Sequence, residues 1–531
     1  MVSETADPSA ARLIESLKGL LGQGSVITEE AERQFYGTDV FRSGEPPAVA
    51  IRPNSKAALA DAVARATSAG FCVVPRGGGL SYTDGYLSGR ARAVLVDTQG
   101  LNRIVEINGE DMYVTVECGV TWKQLYEALR VKGLRTPFFG TGSGLHATVG
   151  GTLSQNALNY GSTMYGTAAE SVLGLEVALA DGRLVQMGSA ATPHQPSPFL
   201  RSYGPDLAGL FLADCGALGI KVEATLRLIP WPGATEFASF DFETHVAFAA
   251  ALTEISRRSV AAECFGYDPF FITQRLKVRH LTGDLERLAG VARAGRSVLG
   301  GLADAIKVAA AGRSYLEGTR YALHVVVDGR DEADAASAMA VVKSVARDRG
   351  GKEIENTLPR VVRGTPFGPP NLMLGAGGER WIPVHALLPH SQLVPAMEAL
   401  DAYFDGIRDV VDEHEIEWGF IVLGCGTGAC LIEPAFYWKD AIEDFHMRYL
   451  EPGFLRNLPR HPPNPAGREA VARIRRELAE MFMRMGAAHF QIGRFYPYRD
   501  SRHGDTFALL RAVKQHVDPD GLINPGVLGL D

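Results

Sequence analysis

The 531-residue chain has no excess of positive charge, and it has only six cysteines. Its formal net charge of −8 excludes the broad basic surface that nucleic acids and anionic lipids select. Cys425 and Cys430 are the only closely spaced pair, and neither a second pair nor a His-rich motif accompanies them. We therefore predict a strand and a turn at this pair, with no disulfide framework and no metal.

Long apolar runs are also absent. No stretch reaches the ~20 apolar residues that span a bilayer, and the first 22 residues lack the apolar core of a signal peptide. We therefore expect a cytoplasmic protein with no membrane partner. The length exceeds what one hydrophobic core supports, and 46% hydrophobic residues is typical of globular proteins, so two or three domains are expected.

Glycine is concentrated in two places, the first of which follows the Val-rich segment at residues 71–75. Here Arg76 precedes three glycines, and Leu80 and Ser81 follow them. A glycine turn after a strand lets backbone N–H groups converge on an anion. The loop lacks the Lys-Ser/Thr of a P-loop and the spacing of a Rossmann fingerprint. It predicts a different phosphate-bearing ligand, although the loop alone leaves an ordinary turn open.

The hydrophobic pattern predicts a β-α-β unit around this loop, then antiparallel strands, a second glycine region at residues 139–166 and a hairpin about residues 180–182. Longer helices and isolated strands follow the Pro-Trp-Pro-Gly run at residues 230–233, which predicts a domain boundary. We also predict a strand through His489 towards Arg494, with a helix and a packed tail after residue 507.

Four segments, at residues 118–129, 163–184, 203–211 and 516–526, together resemble the vanillyl-alcohol oxidase and p-cresol methylhydroxylase (PCMH-type) superfamily of FAD enzymes, most closely its 4-alkylphenol-oxidising branch. The resemblance implies an α+β protein with a two-domain PCMH-type FAD-binding fold and a cap domain on an antiparallel sheet. The implied FAD-binding domain is 1–235, the cap 236–490 and the return to the FAD domain 491–531. Relatives are often homodimers, so a homodimer is expected.

The resemblance also implies which residues contact FAD. The pyrophosphate would lie on the first loop, the ribityl chain and ring system along the second region, the adenine beside residues 219–220, and the tail against the flavin. The implied residues are Pro75, Arg76, Gly77, Gly78, Gly79, Leu80, Ser81, Tyr82, Gly140, Thr141, Gly142, Gly150, Gly151, Tyr165, Gly166, Gly219, Ile220, Arg494 and Asn524.

Covalent attachment of the flavin is not expected. Leu80 stands where some relatives carry a linking histidine, and Val327 and Gly378 stand at the cap positions that carry a linking Tyr or His in this branch. A shift of register in the alignment would instead place Tyr321 or His385 at one of these positions. We predict non-covalent FAD.

Five residues are candidates for catalysis. Arg494 falls where phenol-oxidising relatives carry an arginine, and a cation there would stabilise reduced flavin. His146 and His489 compete for the role of base, because an imidazole suits a proton acceptor. Tyr496 and Tyr498 could bind a substrate oxygen. For every one of these, a structural role is the alternative.

Two tyrosines that bind phenol in the branch are replaced here by Leu80 and Gly493, and Tyr496, Tyr498 or Tyr82 could take over their role. The leading hypothesis is hydride transfer from a small alcohol or benzylic carbon to flavin N5, with phenolic or aromatic substrates favoured and oxygen or a redox protein as acceptor. One alternative is a flavin 2-hydroxy-acid or polyol oxidase or dehydrogenase, in which Arg494 would bind a carboxylate. A non-catalytic flavin-binding protein is the other.

Overall fold

The computed structural model describes residues 8–194, 197–277 and 318–530. A four-stranded sheet contains the strand that precedes the first glycine loop. Three of its strands are parallel and the outermost one is antiparallel. In sheet order they are Val26–Ile27, Val49–Ile51, Ala93–Asp97 and Cys72–Arg76. Their Val-rich sequences suit strands that are buried on both faces.

A second sheet, of five antiparallel strands, lies in the same N-terminal region of the chain. Its strands, in sheet order, are Ile104–Asn108, Tyr113–Glu117, Ile220–Arg227, Val172–Ala178 and Leu184–Gly188. The last two form the predicted hairpin, with Gly182 at φ 82° in the turn. A short pair, Leu134–Arg135 with Ile229–Pro230, leads out of the domain.

A larger antiparallel sheet begins at Ala234 and carries eight strands within the described residues. In sheet order these are Lys352–Ile354, Ala234–Phe242, Tyr321–Gly329, Glu263–Tyr267, Glu417–Cys425, Ala429–Trp438 and Arg380–Pro383, with Ala386–Pro389 also paired to Ala429–Trp438. Cys425 and Cys430 lie at the hairpin that joins two of these strands, which confirms the predicted strand and turn.

The helices cover the sheets and begin at polar caps where the sequence provides them. Ser55 accepts a hydrogen bond from the Ala58 N–H, and Thr121 and Gln124 form a capping box. Helices of eight or more residues are Pro8–Leu21, Lys56–Ser68, Trp122–Arg130, His245–Arg257, Pro269–Lys277, Glu332–Asp348, Thr357–Gly364, Leu393–Gly406, Pro465–Arg484 and Gly504–Val517. Shorter ones are Glu30–Tyr36, Val149–Gln155, Ser162–Tyr165, Leu207–Leu210, Arg408–Glu413, Asp444–Tyr449 and Pro452–Arg456. No helix among the described residues is both long and apolar enough to cross a membrane.

The C-terminal tail returns to the first sheet. The Asn524 N–H donates to the Val73 carbonyl at 2.8 Å, and the Val73 N–H donates to the Leu522 carbonyl at 2.8 Å. The buried Lys514 ammonium fixes the tail by donating to Asp518 at 2.5 Å and to the carbonyl oxygens of Ala217 and Ile523. The tail is thereby placed directly behind the first glycine loop.

The predicted strand through His489 is wrong. Only Ala488 makes a strand-like bridge, to Leu387. Gln491 and Gly493 adopt φ values of 50° and 57°, which extended strands do not tolerate, so the segment turns repeatedly before Arg494.

Candidate functional site

A cleft of about 880 Å³, partly open to solvent, runs along both glycine regions. Its lining includes twelve of the predicted cofactor residues, namely Pro75, Arg76, Gly77, Gly78, Gly79, Leu80, Ser81, Thr141, Gly150, Gly151, Gly219 and Ile220. It also includes Gln155, Cys215, Gly216, Lys221 and Gln491, which the sequence analysis missed. Gly216 lies in a turn at φ 72°, so the glycine turn at residues 216–219 was a usable signal for this wall.

The first loop is shaped by glycines that admit no side chain. A Cβ at Gly77 would lie 2.4 Å from the Thr148 hydroxyl oxygen, and one at Gly78 would lie 2.1 Å from the His146 carbonyl oxygen. Gly79 adopts φ 71°, a conformation that favours glycine. The two glycine regions therefore touch through their backbones, and the groove between them offers main-chain N–H groups to a ligand. These features fit a diphosphate held by neutral donors.

Four residues predicted from the second region lie outside the cleft lining. Gly140 packs against Phe367 and Trp122, and Gly142 faces Asn159. Tyr165 lies 5.9 Å from the Arg135 guanidinium, and Gly166 ends the short helix that contains it. Their contact with FAD remains a prediction.

A buried ion network stands between this region and the cap sheet. Asp328 accepts from Arg135 at 2.7 Å and from Arg363 at 2.6 Å, and Arg363 also pairs with Glu263 at 2.6 Å. Both guanidinium groups lie over the Phe139 ring. The two arginines hold the pKa of Asp328 below its usual value despite burial, so the network stays charged.

The Arg494 side chain is bound by oxygen atoms of the C-terminal tail and of Asp84. Its guanidinium donates to the Pro525 carbonyl at 2.7 Å, to the Asp84 carbonyl at 2.6 Å and to the Asn524 side-chain oxygen at 2.8 Å. Asn524 in turn donates to the carbonyl oxygens of Gly85 and Cys215, both at 2.9 Å. Arg494 and Asn524 thus lie outside the lining and bind the tail to it, and their contact with FAD remains a prediction.

The two candidate bases are both largely buried. Burial lowers the pKa of His146, whose ring stands edge-on to Tyr449 at 5.2 Å. Burial also lowers the pKa of His489 to about 4. Because a carbonyl only accepts, the His489 Nδ1–H donates to the His385 carbonyl at 2.8 Å and Nε2 keeps its lone pair. Neither ring belongs to the cleft lining, so their roles as bases remain predictions.

The two candidate tyrosines differ. Tyr496 is 4% exposed; its ring stacks on His489 at 4.1 Å and its hydroxyl accepts from the His385 N–H at 2.8 Å. Tyr498 lies beside the Arg502 guanidinium, at 5.5 Å, away from the cleft. Tyr496 is therefore held by contacts within the protein, and for both tyrosines a substrate contact remains a prediction.

A carboxyl group that the sequence analysis missed lies beyond the Gln491 end of the cleft. Glu433 is the only charged residue of the strand Ala429–Trp438, and its side chain stays partly accessible although strands flank it on both sides. Burial raises the pKa of Glu433 to about 7. A lone carboxylate in an otherwise uncharged strand was the sequence signal for it.

Glu433 is connected to the cleft through Tyr82. Burial raises the pKa of the Tyr82 phenol well above 10, and the Glu433 charge raises it further, while a hydrogen bond from Gln491 opposes both. The Tyr82 ring meets Trp381 at 6.0 Å and His385 at 6.2 Å, each edge-on. We call this cluster of side chains, Tyr82, Trp381, His385, Glu433 and Gln491, the acid chamber; of its members, Gln491 lines the cleft.

No three His, Cys, Asp or Glu residues within the described ranges are placed to hold a metal ion. Of the cap positions considered for flavin attachment, Val327 is fully buried in the cap sheet and Gly378 lies in a turn with Gly375. Neither lines the cleft.

Comparison with solved structures establishes the fold. The chain superimposes on p-cresol methylhydroxylase with substrate bound with a TM-score of 0.71 and 17% identity, covering 99% of this chain and 98% of that chain. The isoeugenol complex of 4-ethylphenol oxidase from Gulosibacter chungangensis gives a TM-score of 0.70 and 17% identity over the same shares. The predicted PCMH-type FAD-binding fold with an α+β cap is confirmed.

Comparison by sequence gives a different kind of relative. D-2-hydroxyglutarate dehydrogenase from Xanthomonas citri pv. viticola is 32% identical over 235 residues, which is 42% of this chain and 48% of the relative. The chain thus spans about half the length of this curated relative. Residues 47–188 match the family described as FAD binding domain, and residues 496–528 match the C-terminal domain of FAD linked oxidases. The chain therefore carries an FAD binding domain at residues 47–188 and the C-terminal segment of the FAD linked oxidases at residues 496–528.

Proposed function

We propose that the protein is an FAD-dependent oxidoreductase that removes a hydride from the alcohol or benzylic carbon of a small, uncharged substrate, with phenolic or other aromatic compounds favoured. The acid chamber carries this proposal. It places a carboxyl with a pKa of about 7 next to a phenol, at the end of a cleft that fits FAD. Such a carboxyl can accept a proton near neutral pH.

When bound, FAD supplies the hydride acceptor at its N5 position. The chain's own residues position the donor and its proton. Glu433 takes the proton from the substrate hydroxyl, and Tyr82 and Gln491 hold the substrate oxygen by hydrogen bonds. Trp381 supplies an apolar wall beside Tyr82, which orients an aromatic ring and excludes water.

The charges around the acid chamber disfavour a carboxylate substrate. Arg475 is buried nearby, but it donates to the main-chain carbonyls of Pro383 at 3.2 Å and Tyr82 at 2.9 Å. Arg494 likewise donates to main-chain oxygens. The carboxylate of such a substrate would lie near the Glu433 carboxylate, while both of these arginines already bind main-chain oxygens. Two like charges in a poorly solvated space repel each other, which disfavours the substrate.

A 2-hydroxy acid is the second candidate substrate, and the relationship to the D-2-hydroxyglutarate dehydrogenase favours it. That alignment covers 42% of this chain, so it leaves more than half of the protein unmatched. In this alternative, residues outside the acid chamber would have to bind the carboxylate.

Anaerobic flavin bleaching tests the proposal. The purified holoprotein is mixed with 4-ethylphenol and benzyl alcohol, and in parallel with D-lactate and D-2-hydroxyglutarate, while the flavin absorbance is followed. We expect bleaching by the uncharged aromatic donors only. Bleaching by the hydroxy acids alone would establish the second candidate, and a flavin that no donor in a wider alcohol panel reduces would indicate a binding protein. Oxygen uptake after bleaching then distinguishes an oxidase from a dehydrogenase.

We also expect FAD to be released by acid precipitation. Leu80 lines the cleft without a nucleophile, and Val327 and Gly378 lie outside the lining, so the flavin has no attachment point at these positions. The absorbance of the supernatant and of the pellet is measured after treatment with trichloroacetic acid. A yellow pellet would show a covalent link through another residue, which peptide mass spectrometry would locate.

A further inference from the structure

The guanidinium group of Arg76 lies in an aromatic cage behind the first glycine loop. Its carbon is 5.3 Å from the centre of the Phe35 ring, 5.0 Å from Tyr36 and 5.3 Å from Tyr86. The residue is 2% exposed, and its Nε has no hydrogen-bond partner. Three ring faces stabilise the cation without neutralising it.

No carboxylate in the described part of the chain forms an ion pair with Arg76. The nearby Asp97 carboxylate instead pairs with Arg52 at 2.8 Å. Burial opposes the charge on Arg76, but its interactions with Tyr449, Tyr86 and Asp97 outweigh burial, and the pKa of Arg76 lies above its ordinary value. A buried cation that is stabilised by rings and paired with no anion fits a site whose anion comes from outside the chain.

Tyr449 connects this cation to the loop. Its hydroxyl accepts from Arg76 Nη2 at 2.8 Å and donates to the Gly78 carbonyl at 2.9 Å. A Cβ at Gly79 would lie 2.1 Å from Arg76 Nη2 and 2.6 Å from the Tyr449 hydroxyl, so both groups lie directly against the loop backbone. Moving the loop therefore moves the Tyr449 hydroxyl.

Tyr449 belongs to a segment far away in sequence, the helix Asp444–Tyr449 that follows the cap strands. This helix docks on Glu30–Tyr36, because Arg448 pairs with Glu32 at 3.0 Å and lies over the Phe35 ring at 4.1 Å. The Tyr449 ring also meets His146 of the second glycine region. The hydroxyl thus stands where both glycine regions and the cap segment meet.

We propose that Tyr449 is a positioning residue that couples binding of the FAD diphosphate at the first glycine loop to docking of the segment 444–456. Arg76 adds a positive charge behind the main-chain donors of the loop, and the Tyr449 hydroxyl contacts both that guanidinium group and the Gly78 carbonyl. By linkage, a docked segment strengthens diphosphate binding as much as the bound diphosphate strengthens docking.

Hydrogen exchange of the full chain tests the coupling. Apoprotein is produced in a riboflavin-limited host, and exchange of peptides from residues 444–456 is compared without ligand, with FAD, with ADP and with adenosine. We expect FAD and ADP to slow exchange there, and adenosine, which has no diphosphate, to leave it unchanged. Exchange that responds to none of these ligands, or to adenosine as strongly as to ADP, would overturn the proposal.

The variant Tyr449→Phe removes only the hydroxyl. We expect about tenfold weaker binding of both FAD and ADP, by fluorescence and calorimetric titration, and loss of most of the ligand-induced protection at 444–456. Tyr403→Phe is the matched control, because its hydroxyl bonds Glu477 elsewhere in the cap. A Tyr449→Phe protein that keeps the ligand-induced protection of the parent would contradict the coupling, and neither readout depends on which substrate is oxidised.

Discussion

Replacing Gly78 with alanine is expected to weaken FAD binding at least about 100-fold, because the added Cβ has no space. It would stand 2.1 Å from the His146 carbonyl oxygen and 2.7 Å from its carbon, and both atoms belong to backbone rather than to a flexible side chain. The two glycine regions must then separate, which removes the wall of the cleft. The ratio of flavin to protein absorbance in the purified variant, followed by titration of the apoprotein with FAD, measures the effect.

Gly109→Ala, at an exposed glycine outside the cleft lining, is the matched control for this experiment. A Cβ there meets only the Leu134 side chain, at 3.8 Å, which is ordinary van der Waals contact. We expect parental FAD affinity in this variant. Circular dichroism and thermal unfolding of Gly78→Ala determine whether the remainder of the protein folds. Normal flavin content in Gly78→Ala would mean that the two regions do not need their close contact to bind the cofactor.

The first glycine loop and the strand before it could be predicted from the sequence, because their geometry is local. A glycine triplet after an apolar strand requires only the conformational freedom of its own residues. The hairpin about Gly182 and the strand containing Arg76 were found for the same reason. In each case the residues that determine the structure are neighbours in the chain.

The catalytic residues could not be predicted in this way, because their environment is built by distant segments. Arg494 is held by Asp84, Asn524 and Pro525, and nothing in the sequence around it shows that its donors are already used. The turn at Gln491 and Gly493 likewise depends on contacts with Gln155 and Thr83. Glu433 acquires its raised pKa only through the packing around its strand.

Replacing Glu433 with glutamine is expected to lower kcat about 100- to 1000-fold for the donor that bleaches the flavin best. Glutamine keeps the shape and the polarity of the side chain but cannot accept a proton. In the parent, kcat/KM should rise as the pH increases through about 7, where Glu433 ionises. Stopped-flow measurement of flavin reduction from pH 5.5 to 9 should show that this rise of kcat/KM with pH is missing in the variant. An unchanged profile would exclude Glu433 as the base.

The same substitution should make the protein more stable at alkaline pH. Glu433 has a folded pKa of about 7, above its ordinary 4.5, so the folded state binds the proton more tightly than the unfolded state. The free energy of unfolding of the parent therefore falls as the pH rises from about 4.5 to 7, and the loss is complete above 7. Glutamine carries no charge at any of these pH values and avoids this loss.

At pH 8 we therefore expect Glu433→Gln to exceed the parent in the free energy of unfolding by about 3 kcal/mol, and at pH 4.5 to match it. Glu417→Gln, which removes an exposed carboxylate from the neighbouring strand, is the control at both pH values. Denaturant unfolding at both pH values measures the difference. A catalytic carboxyl is maintained at a cost in stability, so lower activity together with higher stability is the result that distinguishes a functional Glu433 from a structural one. Lower activity with lower stability at pH 8 would instead show that Glu433 serves the packing of the cap sheet.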